Sequence, residues 1–272
     1  MAAYRYFHPA GGDCQIGDDL FLASFICKLG KGIRSRKGFL LVLGVPLPIC
    51  ALVWFITENM SSAIIIFGIA FLMLFVASPD YKPFVIIGTL GVSVVAVAIF
   101  ALTQLDASQL GVRGARILAW MDPEAYASGK GFQTLQALYA IGSGGIFGKG
   151  LGQSMQKLGF LPETQNDMIF SIVCEELGLF GGIAIILMFL LLIWRFMIIA
   201  NNASDLFGAL LVVGVLGHIA IQVILNIAVV TNTIPNTGIS LPFISYGGSS
   251  VLFLLIEIGL VLSVARGINI SE

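Results

Sequence analysis

Charge is what this sequence has least of. Only 11% of its 272 residues are Asp, Glu, Lys or Arg, where a soluble domain carries about 25%. That scarcity excludes an ordinary solvated surface. Neither sign dominates either, since the net charge is −1, so no long-range field draws in nucleic acid. Cysteine is sparse as well. Cys14, Cys27, Cys50 and Cys174 form no CxxC pair, which suggests neither a disulfide framework nor a zinc site. Three of them lie in or beside apolar runs, where cysteine serves as a small hydrophobe. The first twenty residues lack the basic-then-apolar layout of a signal peptide. What remains is 58% hydrophobic, with a mean hydropathy of +0.99, the composition of a membrane protein.

A membrane span needs about 20 mostly apolar residues. Residues 38–57, 61–79 and 83–105 carry no charge, 168–194 carry two glutamates before Arg, 206–230 carry one histidine and 239–265 one glutamate. A shorter piece, 20–29, reads as the end of a seventh. Lipid offers no partner for open backbone, so these are helices. No run alternates polar and apolar at every second residue, which argues against a barrel. The expected fold is all-α: a polytopic membrane helix bundle of six full spans plus a partial N-terminal one, forming a single membrane domain over 1–272.

The basic residues set its orientation. Lys28, Lys31, Arg34, Arg36 and Lys37 follow the first piece, which marks that side as cytoplasmic. Counting spans then places Lys82, Arg195 and Arg266 on the same side, and two connections, 106–167 and 231–250, outside. The first exceeds any ordinary loop, and its composition argues for order. Within it, "GFQTLQALYAIG" is too short and too polar to span, and reads as an interfacial helix.

The outer connections and nearby spans hold the candidate chemistry. In "GSGGIFGKGLG", Gly148 and Lys149 fit part of a phosphate loop, but Ser143 and Gly150 break that pattern. The run is either a tightly turned loop or a set of N–H groups that, with Lys149, face a diphosphate. Asp167 stands at a helix start. With Thr164 it has capping-box spacing, and it also has Glu163 and Lys157 as company at the outer mouth. There it is equally suited to take a proton from a sugar hydroxyl. Glu175 and Glu176 lie about two turns inside an apolar segment, where an unpaired charge costs roughly 2.5–3.5 kcal/mol. They are either helix-to-helix anchors or part of a substrate cavity. His218, Gln222 and Asn226 share one helix face, as interhelical contacts or as part of a path. Glu58, between two spans on the outer side, is either a solvated loop acid or a binding residue. In "NTIPNTGISLPFISYGGSS", Pro242 breaks the chain. Ser245, Tyr246, Gly247, Gly248 and Ser249 then give either irregular backbone lining a cavity or a close helix contact.

"GFQTLQALYAIGSGGIFGKGLGQSMQKLGFLPETQNDMIFSIVCEELGLFG" and "PNTGISLPFISYGGSS" resemble the two hallmark stretches of the SEDS family of bacterial cell-wall polymerases (FtsW, RodA, SpoVE), nearest its FtsW/SpoVE type. The resemblance covers about 24–266. It implies a plasma-membrane peptidoglycan glycosyltransferase that polymerises lipid II on the outer face, with the essential acid at Asp167. It also implies partnership with a class B penicillin-binding protein and other division proteins, among membrane lipids. Under it, Arg113, Arg116, Lys149 and Lys157 become candidates to hold diphosphate. Magnesium or manganese is a conceivable bridge, although no dedicated metal ligand cluster is visible. A lipid II flippase and a non-catalytic scaffold are the competing classes.

Residues 1–23 depart from the family pattern. The polar "GGDCQIGDDL" replaces an amphipathic, lysine-containing helix, and about three spans expected ahead of it are not in the sequence. The expectation is a truncated or altered N-terminus.

Overall fold

The computed structural model describes residues 10–57, 60–103, 112–129 and 131–268. Ten α-helices follow one another among them: α1 Ala10–Leu29, α2 Arg36–Gly44, α3 Pro46–Thr57, α4 Met60–Ala77, α5 Lys82–Thr103, α6 Val112–Met121, α7 Phe132–Gly144, α8 Ile169–Asn201, α9 Leu206–Val230 and α10 Gly248–Arg266. No strand occurs among the described residues. The protein is an all-α integral membrane protein.

Five segments are long and apolar enough to cross a membrane: Arg36–Phe55, Met60–Ala77, Ile169–Asn201, Leu206–Val230 and Gly248–Arg266. The expected span 83–105 is α5, whose described apolar stretch runs Lys82–Val97. Two expectations need correction. The run 38–57 is not one helix. It is broken at Val45, because Pro46 has no N–H to continue the ladder. The run 239–265 becomes helical only at Gly248, since Pro242 and the following turn keep its first residues irregular. The short helix expected within the long connection is α7, with α6 ahead of it and a 3₁₀ turn, Gln156–Leu158, after it.

The described residues fall into two compact units. The first lies within Met1–Asp80, Met188–Val223 and Gly247–Glu272. Its core is aliphatic: Leu22 and Ile26 of α1, Ile66, Ile69 and Met73 of α4, Leu210 and Ile219 of α9, and Leu254 of α10 are fully buried or nearly so. Glycines let α4 and α9 approach closely. A side chain at Gly68 would meet the Ile221 Cδ1 at 2.7 Å, and one at Gly217 would meet Leu72 at 3.0 Å. Apolar surface has little reason to leave lipid, so such close backbone contact is a main source of helix association.

The second unit lies within Tyr81–Leu187 and Ile224–Tyr246. Here α7 buries Leu135, Ala137 and Ala140. Gly144 sits so tightly on the first turns of α8 that an added Cβ would overlap the Cys174 carbonyl. Helix α8 is interrupted at Gly178, which takes φ +67°, ψ −163°.

Candidate functional site

Asp167 occupies the last turn before α8, in a run of turns over 162–168. The expected Thr164–Asp167 capping box is not formed. Glu163 adopts the left-handed φ of +54°, and its carbonyl accepts from the N–H groups of Asn166 and Met168. This tight turn delays the helix to Ile169, leaving Asp167 outside it.

The backbone of this turn is pinned from several directions. Ser245 Oγ donates to the Asn166 carbonyl at 2.6 Å and accepts from the Leu241 N–H at 2.7 Å. The Tyr246 N–H donates to the Gln165 carbonyl at 2.7 Å. Asn226, on α9, donates from Nδ2 to the carbonyls of Asp167 and Ile239. Each contact joins the turn to the second sequence motif or to the polar stripe of α9.

The Asp167 side chain lines a cavity of about 480 Å³. The other walls come from Ala119 and Trp120 at the end of α6, Phe132, Gln133 and Thr134 at the start of α7, Pro162 and Glu163, and Asn236, Thr237 and Gly238. Trp120 is fixed by a reciprocal pair: its Nε1 donates to the Asn232 carbonyl at 3.0 Å, and Asn232 Nδ2 donates back to the Trp120 carbonyl at 3.2 Å. Asn236 Nδ2 donates to Gln133 Oε1 at 2.9 Å. Gly238, at φ +68°, approaches the acid closely, and a Cβ there would stand 3.9 Å from Asp167 Oδ2.

Asp167 is only 8% exposed, and its Oδ1 has no hydrogen-bond partner among the described residues. Burial pushes its carboxyl up to about 6; its own backbone N–H draws it down, the nearby Glu163 charge raises it, and the Gln133 amide lowers it. A carboxylate so placed is a proton acceptor suited to neutral pH.

Glu175, Glu176, Lys149 and Lys157 form a different cluster. The Glu175 carboxylate is fully buried. It receives Lys149 Nζ at 2.7 Å, Ser154 Oγ, the Met155 and Gln156 N–H groups, and a long contact from Ser143 Oγ. Lys157 Nζ pairs with Glu176 at 2.6 Å. The glycine run lies along the break in α8. Lys149 and Gly150 donate their N–H groups to the carbonyls of Glu175 and Glu176, and Leu179 donates to Gly145. Two of the amides considered for a diphosphate are therefore already committed to carbonyls, which corrects that expectation. Neither lysine nor Glu175 lines the Asp167 cavity.

Of the remaining candidates, Glu163 lines the cavity, while Ser245 and Tyr246 hold its turn through the bonds above. Gly247 precedes α10, and Gly248 and Ser249 begin it. Arg113 and Arg116 lie on α6, with their side chains outside the described residues, as is all of Glu58. His218, in the first unit, meets Glu257 of α10 at 2.8 Å, both buried. Trp120, Gln133, Thr134, Asn236 and Thr237 had not been singled out. Gln133, Thr134, Asn236 and Thr237 belong to the two motif stretches, while Trp120 lies outside both, in the long connection ahead of the first.

A family model described as "Cell cycle protein", FtsW/RodA/SpoVE, matches residues 15–269. Stage V sporulation protein E of Bacillus subtilis (strain 168) is 42% identical over 248 residues, 90% of this chain and 65% of that protein. The "Probable peptidoglycan glycosyltransferase FtsW" of Trichlorobacter lovleyi is 39% identical over 213 residues, 78% of this chain and 54% of that protein. This chain thus spans 54–65% of the length of these two relatives. A chain solved in work on "Structural coordination of polymerization and crosslinking by a peptidoglycan synthase complex" shares the fold, with a TM-score of 0.69 and 24% identity, covering 93% of this chain and 70% of that one.

Proposed function

We propose that this chain, which belongs to the FtsW/RodA/SpoVE family, acts as a peptidoglycan glycosyltransferase at the outer face of the bacterial plasma membrane, lengthening glycan strands from lipid II. The observation that carries the proposal is Asp167, a buried, elevated carboxylate lining a cavity large enough for a sugar and walled by amide and hydroxyl groups.

In the proposed step Asp167 takes the proton from the 4-hydroxyl of the acceptor's terminal GlcNAc. The freed oxygen bonds to the anomeric carbon of the donor's MurNAc. The bond from that carbon to undecaprenyl diphosphate breaks, and the diphosphate leaves with the electron pair, inverting the centre. Gln133, Asn236 and Thr237 supply donors and acceptors for sugar hydroxyls and acetamido groups, and Trp120 offers an aromatic wall. Asp167 and Glu163 are the two carboxylates of the cavity, and no cluster of three metal-ligating side chains occurs among the described residues. A magnesium or manganese ion would therefore take most of its oxygen ligands from diphosphate and water. A class B penicillin-binding protein is the partner consistent with a crosslinking step, and the relatives' names support division or sporulation as the setting.

The buried His218–Glu257 pair favours a second reading, lipid II transport, because ionisable groups inside a span often mark a path. Reconstitution with the transpeptidase partner in liposomes separates the two. Glycan polymer formed from lipid II already on the active side supports the enzyme. Lipid II crossing the bilayer with no polymer formed overturns it.

A further inference from the structure

We propose that the turn joining α1 to α2 holds the headgroup of an anionic phospholipid from the cytoplasmic leaflet. The turn carries Lys28, Lys31, Arg34, Arg36 and Lys37 within ten residues and no acid. Among the described residues, Lys28, Lys31, Arg36 and Lys37 are exposed and none forms an ion pair. By contrast, both lysines of the Glu175 cluster are neutralised at 2.6–2.7 Å. Lys82, Arg195 and Arg266 also lack an ion pair among the described residues but stand singly, so uncompensated charge is concentrated at this turn.

The turn also borders a cavity of about 310 Å³, walled by Gly30, Lys31 and Ile33 on one side and by Val76, Ala77, Ser78 and Pro79 on the other. The second wall is the exit of the span Met60–Ala77, and the next basic residue, Arg36, opens the span Arg36–Phe55. A cavity between span ends lies at headgroup depth. The excess of Lys and Arg assigns that end to the cytoplasmic side, where anionic lipids concentrate and each nearby cation strengthens binding.

The chemistry of the walls favours a lipid over free phosphate. Lys31 and the Ser78 hydroxyl can meet phosphate oxygens, while Ile33, Val76 and Ala77 present hydrocarbon. Leu40 and Leu41, about one turn into α2, are at least half exposed and offer a surface for acyl chains.

The test is native mass spectrometry of the chain released from phosphatidylcholine nanodiscs containing a minor fraction of phosphatidylglycerol. Wild type should retain phosphatidylglycerol selectively. The triple variant Lys31→Ala, Arg36→Ala, Lys37→Ala should lose roughly hundredfold in retention, at about fivefold per cation. Arg195→Ala with Arg266→Ala, which removes basic charge elsewhere, should retain the lipid as wild type does. If the triple variant does not fold, Lys31→Ala alone decides, with a loss of about fivefold. Equal retention by the variant and wild type overturns the proposal, as does equal loss in the Arg195/Arg266 control. Displacement of the lipid by millimolar inorganic phosphate overturns it in favour of a soluble anion.

Discussion

Asn226 holds Asp167 by its backbone. One amide nitrogen on α9 donates to the Asp167 carbonyl at 2.7 Å and to the Ile239 carbonyl at 2.6 Å, with Asn226 itself fully buried. The turn that presents the acid and the motif that walls its cavity are thus tied by one side chain.

Replacing Asn226 by Ala leaves two buried carbonyls without that donor. The expected loss of stability is about 1–3 kcal/mol, read as a lowered thermal midpoint in detergent. Asn226→Asp should be worse, because it sets a carboxylate oxygen against two carbonyl oxygens. A midpoint unchanged in both variants would show that this amide does not hold the turn.

The break in α8 makes its own prediction. Gly178 is left-handed, and a Cβ there would lie 2.4 Å from the Gly148 nitrogen and the Ile146 carbonyl. Gly178→Ala should lose folded protein or shift its melting strongly downward, since backbone blocks the added carbon. Gly142→Ala is the contrast. Its Cβ would meet nothing within 4 Å, and in the last turn of α7 the change should be neutral or stabilising by up to about 1 kcal/mol.

Glu175 should matter more to stability than its lysine. Glu175→Ala strands Ser154 and two backbone donors as well as Lys149, at about 1–3 kcal/mol for each buried donor left unpaired. Lys149→Ala removes one partner that is itself a third exposed, and should cost less. Denaturation of both variants ranks them, and the reverse order would contradict the hub assigned to Glu175.

Asp167 links stability to pH. Its carboxyl rises from 3.8 to about 6 on folding, so the folded protein favours the protonated form. The stability this confers is present below about pH 4 and lost as pH rises through 6. Asp167→Asn lacks that dependence. It should therefore be more stable than wild type at pH 8, by roughly 1–3 kcal/mol, with the advantage shrinking toward pH 4. Parallel melting curves at the two pH values check this. An advantage of equal size at both would contradict it.

Much of the architecture was legible because apolar runs such as 206–230 have only one outcome in lipid, and α9 is that run unchanged. The acid-bearing motif was legible too, since Asp167 and Glu163 share a cavity wall. Other features depend on residues distant in sequence. The Lys149–Glu175 pair spans 26 positions and the Gln133–Asn236 bond 103, and no local spacing announces either. The capping-box spacing of Thr164 and Asp167 misled because it ignored the left-handed Glu163, whose turn ends the segment first. The break at Gly178 is likewise set by the glycine loop that pairs with it, and nothing in the apolar pattern of α8 marks it.

The proposed role of Asp167 as general base is tested most directly by lipid II polymerisation in liposomes, with the transpeptidase partner present, comparing wild type with Asp167→Asn across pH 5–8. The wild-type rate should rise with pH and reach half its plateau near pH 6. The folded Asn variant should be slower by about 10²–10⁴-fold on the plateau, with the gap narrowing toward pH 5 as wild-type Asp167 becomes protonated. A variant that makes glycan of the same length and yield as wild type would contradict the assignment.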